Sequence, residues 1–182
     1  AYLVYESVME PVRFNKERDI RKSLVVQNLK DIRNAQMAYK SIYNKYTQSF
    51  DTLLEFINNG EIPVVKMIPD PNDTTFTKSI KDTIAYINVK DSLFSMRDDF
   101  KVNKLAIIPF SEGDTFNLEA GEIDKGNIMI QVFEASALNL QFLKGLNEQL
   151  ILNYNDLLES SEQFPGLKVG SMVEASTDGN WE

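Results

Sequence analysis

Between about Asn15 and Tyr46 the apolar positions recur with the period of a helix. Ile20, Leu24, Leu29, Ile32, Ala35, Tyr39, Ile42, Tyr43 and Tyr46 follow mostly at steps of three to five and fall largely on one face. Lys22, Lys30, Arg33 and Lys40 lie opposite. A helix of about 30 residues runs ~45 Å at roughly 1.5 Å per residue, long enough for one end to stand clear of its domain or pair with another chain. Pro11 is expected to separate this helix from the apolar run Ala1–Val8, because proline breaks an interior helix and restricts Glu10 before it.

Ser49 is placed to N-cap a second, short helix, with Asp51 near its positive end; Phe50, Leu53, Leu54 and Ile57 form its apolar face and Asn58-Asn59-Gly60 ends it. Ile62–Ile68 and Thr83–Val89 read as strands around the loop Pro69–Thr75, the second half-buried by its alternation. Lys104–Phe110 reads as an apolar strand ended by Pro109 and a Ser111–Asp114 turn. Phe116, Leu118 and Ala120 alternate with Asn117, Glu119 and Gly121, and Asp124–Asn127 closes a hairpin onto Ile128–Ala135. Helical spacing returns over Gly145–Leu158, and Leu167–Val173 reads as a last strand. Helices followed by mainly antiparallel strands predict an α+β fold: a long N-terminal helix packed on a mainly antiparallel sheet, with a further C-terminal helix. Residues 1–14 read as the membrane-proximal stub of a removed anchor and 15–182 as a single α+β domain.

Composition narrows the chemistry. The chain has 182 residues and a net charge of −8, from 19 basic and 27 acidic side chains. That balance disfavours nucleic acid, whose phosphates need clustered Lys and Arg. Cysteine and histidine are both absent. Disulfides, thiolate chemistry, a Ser-His-Asp triad and an ordinary zinc site are thereby excluded. Any enzyme here would rest on carboxylates, lysine or tyrosine.

No motif supplies a catalytic, cofactor or metal site. Asp70, Asn72 and Thr74 have the spacing of a calcium loop, but Thr75 stands where glycine belongs and Lys81 where a bidentate glutamate belongs. Asp114, Glu119, Glu122 and Asp124 are scattered carboxylates of a kind that serves solubility. Gly166–Ser171 lacks the Gly-Lys-Ser/Thr ending of a phosphate loop, and Ser111 lacks a G-x-S-x-G frame. Trp181 reads either as a residue that pins the C-terminus to the core or as an exposed contact point. The one cluster that suggests a contact is basic: Arg13, Lys16, Arg18, Arg21 and Lys22, against only Glu17 and Asp19. It reads either as a juxtamembrane patch for acidic head groups or an acidic protein, or as a solvated helix face. On the first reading, the turns from about Arg13 to Leu24 protrude and make few contacts within their own chain.

Leu29-x-x-Ile32-x-x-Ala35-Gln36-x-x-Tyr39, followed by Tyr46 and the helix of Leu53 and Leu54, is similar to the first helix of type IV pilins and pseudopilins. Those proteins join a membrane-spanning half-helix to an amphipathic half, a tyrosine-containing turn and an antiparallel sheet. The whole chain resembles a family of single-span membrane-anchored proteins from Bacteroidetes. That resemblance is carried by Met9-Glu10-Pro11-Val12, Asp31-Ile32-Arg33-x-Ala35-Gln36, Ser49-Phe50-Asp51-Thr52-Leu53, Ile108-Pro109-Phe110-Ser111, Val132-Phe133-Glu134-Ala135 and Pro165-Gly166-Leu167-x-Val169-Gly170. The resemblance implies an extracytoplasmic domain at the cell envelope with a structural or protein-interaction role, partnered by the membrane and by further copies or another envelope protein. The alternatives are a ligand-binding or sensory domain with a pocket between sheet and C-terminal helix and, more distantly, a carboxylate-based enzyme.

If the anchor reading is right, the full-length natural protein fractionates with membranes and needs detergent for release, its span ending near Val8. Recovery in the soluble fraction, without detergent and without processing, would contradict it.

Overall fold

The helical period is realised as α1, Tyr2–Tyr43, one helix of 42 residues. The computed structural model describes residues 2–72, 75 and 79–182, with α1 side chains from Tyr5 onward. Pro11 lies inside α1, against expectation. Proline costs a helix one backbone N–H bond, and the turns on either side continue through it, tied by an Arg13–Glu6 ion pair of 3.0 Å. The helix therefore passes residue 14 unbroken, and Phe14 is already buried.

The buried stripe of α1 differs from the one the apolar pattern suggests. Val25, Leu29, Ile32, Gln36 and Tyr39 are buried, at steps of four and three, with Ala35 beside them. Ile20 and Leu24 are 47% and 46% exposed. One residue rotates position by about 100° on a helix, so replacing Leu24 by Val25 turns the face. Continued upstream, the true stripe reaches Arg21, Arg18 and Phe14. Of the tyrosines expected inward, Tyr39 and Tyr46 are buried and Tyr43 is exposed.

Buried Gln36 ties the end of α1 to Thr47, just after Tyr46. Its amide nitrogen donates to the Thr47 carbonyl at 2.6 Å, and its carbonyl accepts from the Thr47 N–H at 3.1 Å. This clamp turns the chain at Asn44, whose φ is 57°, and drops Tyr46 onto Phe133 at 4.7 Å between ring centroids. Ser49 then caps α2, Phe50–Asn59, by accepting from the Thr52 N–H. Leu53, Phe56 and Ile57 form the buried face of α2. Gly60 ends it: its N–H reaches the Phe56 carbonyl, and a Cβ there would lie 2.4 Å from that oxygen.

Two antiparallel sheets follow. The first is a two-stranded hairpin of β1, Glu61–Pro69, and β2, Ser79–Asn88. A short helix α3, Val89–Phe94, and a 3-10 turn at Val102–Lys104 lead to the second sheet, β3-β4-β5, made of Asn117–Asp124, Met129–Leu138 and Gly166–Gly170. Between β4 and β5 come α4, Asn139–Phe142, and α5, Glu148–Ser160. The core joins α1 to this three-stranded sheet, with Phe133, Ala135 and Ala137 of β4 and Leu167 and Val169 of β5 buried. Trp181 packs on the same core, and Glu182 meets Arg33 at 2.9 Å, so the C-terminus is pinned as expected.

Two expectations fail here. Lys104–Phe110 is a compact loop instead of a strand, joined to its neighbour only by an Ile107–Thr115 bridge. Pro109 lacks an N–H, Phe110 has φ 65°, and the buried Ser111 hydroxyl donates to the Ile108 carbonyl at 2.8 Å, folding the segment on itself. β2 is exposed along nearly its whole length and not half-buried. Among the described residues, no helix is long and apolar enough to cross a membrane. Asp73 and Thr74, in the segment weighed as a calcium loop, lie outside the described residues.

Truncating Leu29 or Ile32 to alanine should cost about 2–5 kcal/mol in denaturant unfolding, as for other buried aliphatic side chains. Leu24→Ala should cost less than about 0.5 kcal/mol, as at surface sites. Equal losses at Leu24 and Leu29 would place the buried stripe elsewhere.

Candidate functional site

Three features stand apart from the core. The first is the β1–β2 hairpin. Its register pairs Ile62 with Ile87, Val64 with Ala85, Lys66 with Asp82 and Ile68 with Ile80, and side chains opposite one another share a face. The other face carries Pro63, Val65 and Met67 against Tyr86, Thr83 and Lys81, and a bulge at Val64/Val65 leaves Ile84 without a partner in the register. Apolar side chains thus occupy both faces. Among the described residues of the hairpin, seven large ones are exposed: Val65, Met67, Ile68, Ile80, Ile84, Tyr86 and Ile87. The hairpin is tied to the domain at its base, where the Val89 N–H donates to the Gly60 carbonyl and Asn88 donates to the Asn58 carbonyl. An isolated two-stranded hairpin is marginal in water, and exposed apolar faces mark contact sites.

The second feature is the basic run on α1. The expected protrusion of Arg13–Leu24 does not occur, because Phe14, Arg18 and Arg21 share the inward stripe. Arg21 donates to the carbonyls of Phe142, the last residue of α4, and of Lys144 just beyond it at 3.2 and 2.9 Å, pairs with Glu17 and lies over the Phe110 ring at 4.6 Å. Arg18 donates to Asn15 and Asp19 and lies over Tyr154 of α5 at 4.8 Å. Arg13 pairs with Glu6 on the exposed side, Lys16 is exposed and Lys22 is half-buried. The five basic residues therefore divide: Arg18 and Arg21 dock the helix on α4 and α5, and Lys22 with Arg18 borders a cleft of about 330 Å³ against α5 and β5. The stretch that does project is earlier, with Tyr5, Val8 and Val12 exposed.

The third feature is an ion-pair cluster beside a cavity of about 470 Å³ walled by Phe100, Leu105, Ile108 and Phe110. Asp31 is 3% exposed on α1. Arg97 donates to it at 2.6 Å and Gln27 at 3.0 Å, while Arg97 also grips exposed Asp99 at 3.0 Å. Hydrophobic periodicity gives no hint of this cluster: Asp31 is a charged residue between Lys30 and Ile32, and Arg97 lies 66 residues away. Both Asp31 oxygens are engaged, an arrangement that ties α1 to the segment after α3. Among the described residues, no group of three or more acidic side chains is placed to hold a metal.

No family model, curated protein or solved structure matches this chain.

Burial raises the Asp31 carboxyl above its ordinary value, and the bonds from Arg97 and Gln27 pull it part of the way back. The folded state then holds that proton more tightly than the unfolded chain does, so stability from this group is lost as pH rises through the folded value. Exposed Asp99 is lowered by its hydrogen bond from Arg97 and acts in the opposite sense. In urea unfolding from about pH 4 to 7, wild-type stability relative to Asp31→Asn should therefore fall as pH rises. A gap that stays flat or widens toward neutral pH would mean that Arg97 overcomes the burial cost.

Proposed function

We propose that this protein is a membrane-anchored, extracytoplasmic domain of the cell envelope, pilin-like in layout, which assembles with further copies of itself through the β1–β2 hairpin. The observation that carries this reading is the hairpin, whose exposed apolar side chains on both faces have no cover among the described residues. The projecting start of α1, with Tyr5, Val8 and Val12 exposed, supports the anchored placement.

Three features favour a second copy as the occupant. The chain carries −8 overall, yet the two strands hold Glu61 and Asp82 against Lys66 and Lys81, so this one surface meets its own copy without net repulsion. Pro63 and Pro69 sit on β1 and guard its outer edge, whereas β2 has no proline. One open edge pairs with its equivalent about a two-fold axis, giving a four-stranded sheet in the order β1-β2-β2-β1. Anchoring in a membrane concentrates such a weak contact, so a modest affinity suffices in place.

Sedimentation of the 182-residue chain tests this directly. Self-association should rise with concentration and disappear in the double variant Ile68→Lys/Ile80→Glu, which puts opposite charges on a facing pair and so preserves the hairpin. If wild type and variant sediment alike at every concentration, the hairpin is not the assembly surface.

A further inference from the structure

The cleft bordered by α1, α5 and β5 has a composition unlike the rest of an acidic chain. Arg18, Lys22 and Lys168 line its roughly 330 Å³, with Glu162 as the one acidic lining residue. Two of the cations are already held. Arg18 is taken up by Asn15 and Asp19, and Lys168 lies 3.4 Å from Glu134 and over the Phe164 ring at 5.6 Å. Lys22 is half-buried and has no ion-pair partner among the described residues. It is the charge left to meet a ligand.

The remaining wall supplies other chemistry. Asn139, 3% exposed, lines the cleft; its amide nitrogen donates to Asn155 Oδ1 at 2.8 Å, and its own carbonyl oxygen accepts from none of the described residues. That oxygen is not a buried unpaired atom, so it is open to water or to a hydroxyl or N–H donor of a ligand. Tyr154, Phe164 and Gln163 also line the cleft, with Arg18 over the Tyr154 ring and Lys168 over the Phe164 ring. Aromatic faces with a few fixed polar groups suit a small ring bearing hydroxyls, and a cleft of this size lies at the low end for small-molecule sites. An unpaired ammonium adds a preference for a carboxylate.

We infer that this cleft binds a sugar acid, a hexuronate whose carboxylate meets Lys22, whose hydroxyl donates to Asn139 Oδ1, and whose ring lies against Tyr154 and Phe164. The site is separate from the hairpin and does not rest on assembly through it. Binding is read by chemical-shift titration of the full chain with D-glucuronate, using D-glucose and acetate as comparison probes. Saturable shifts are expected at Lys22, Asn139 and Tyr154 with glucuronate, with binding at least about 10-fold weaker for either comparison probe, a difference of about 1.4 kcal/mol. Lys22→Met keeps the aliphatic stem and should weaken glucuronate about 10-fold while leaving glucose unchanged. The hairpin variant Ile68→Lys/Ile80→Glu should bind as wild type does. No saturation with glucuronate, equal affinity for acetate, or an undiminished Lys22→Met would each overturn the inference.

Discussion

Everything else in the fold is hung on one helix stripe meeting one sheet. Val25, Leu29, Ile32, Ala35 and Tyr39 of α1 lie in the same buried cluster as Phe133, Ala135 and Ala137 of β4 and Leu167 and Val169 of β5. Burying a large aliphatic side chain contributes roughly 1.5–3 kcal/mol, so this seam is the main source of cohesion and fixes the rotation of α1 about its own axis. Once that rotation is set, Arg18 and Arg21 must point at α4 and α5, and Asp31 must point at the segment carrying Arg97. The polar contacts are consequences of the apolar ones.

The polar groups on that stripe in turn define the turns around it. Gln36 exchanges two hydrogen bonds with Thr47 and so decides where the chain reverses after α1. Buried amides with both groups satisfied add specificity at little net cost, whereas an unpaired one would be expensive. Asp31 is the less comfortable case. Its burial costs free energy that Arg97 recovers in part, and what it secures is the position of the loop that walls the larger cavity.

Elements with a complete local signal were legible in the amino-acid pattern. The Ser49 cap, the Asn58-Asn59-Gly60 stop, the Asp124–Asn127 turn and the helical spacing after Gly145 each act through neighbouring residues, and α2, the β3–β4 hairpin and α5 form accordingly. The face of α1 was not legible, because its buried stripe includes Arg18, Arg21, Asp31 and Gln36, which a hydrophobic period discounts. Alternation in β2 was visible, but alternation cannot say whether a second layer exists to cover it. The same limit applies to the candidate sites. The basic cluster was found by composition, its division into docking arginines, an exposed Lys16 and a Lys22 set at a cleft needs the fold, and the Asp31–Arg97 pair joins distant segments that no spacing rule connects.

The core is complete without the β1–β2 hairpin, whose strands hold no buried residue, and the proposed assembly joins that hairpin to another copy. Amide hydrogen exchange across a range of protein concentrations tests it most directly, since exchange reports local opening apart from global stability. Exchange should be slow over Val25–Tyr39 and β4 at all concentrations. Through β1 and β2 it should be fast in dilute protein and slow down as concentration rises. Hairpin amides as protected as the core at the lowest concentration, and unchanged on raising it, would contradict assembly through the hairpin.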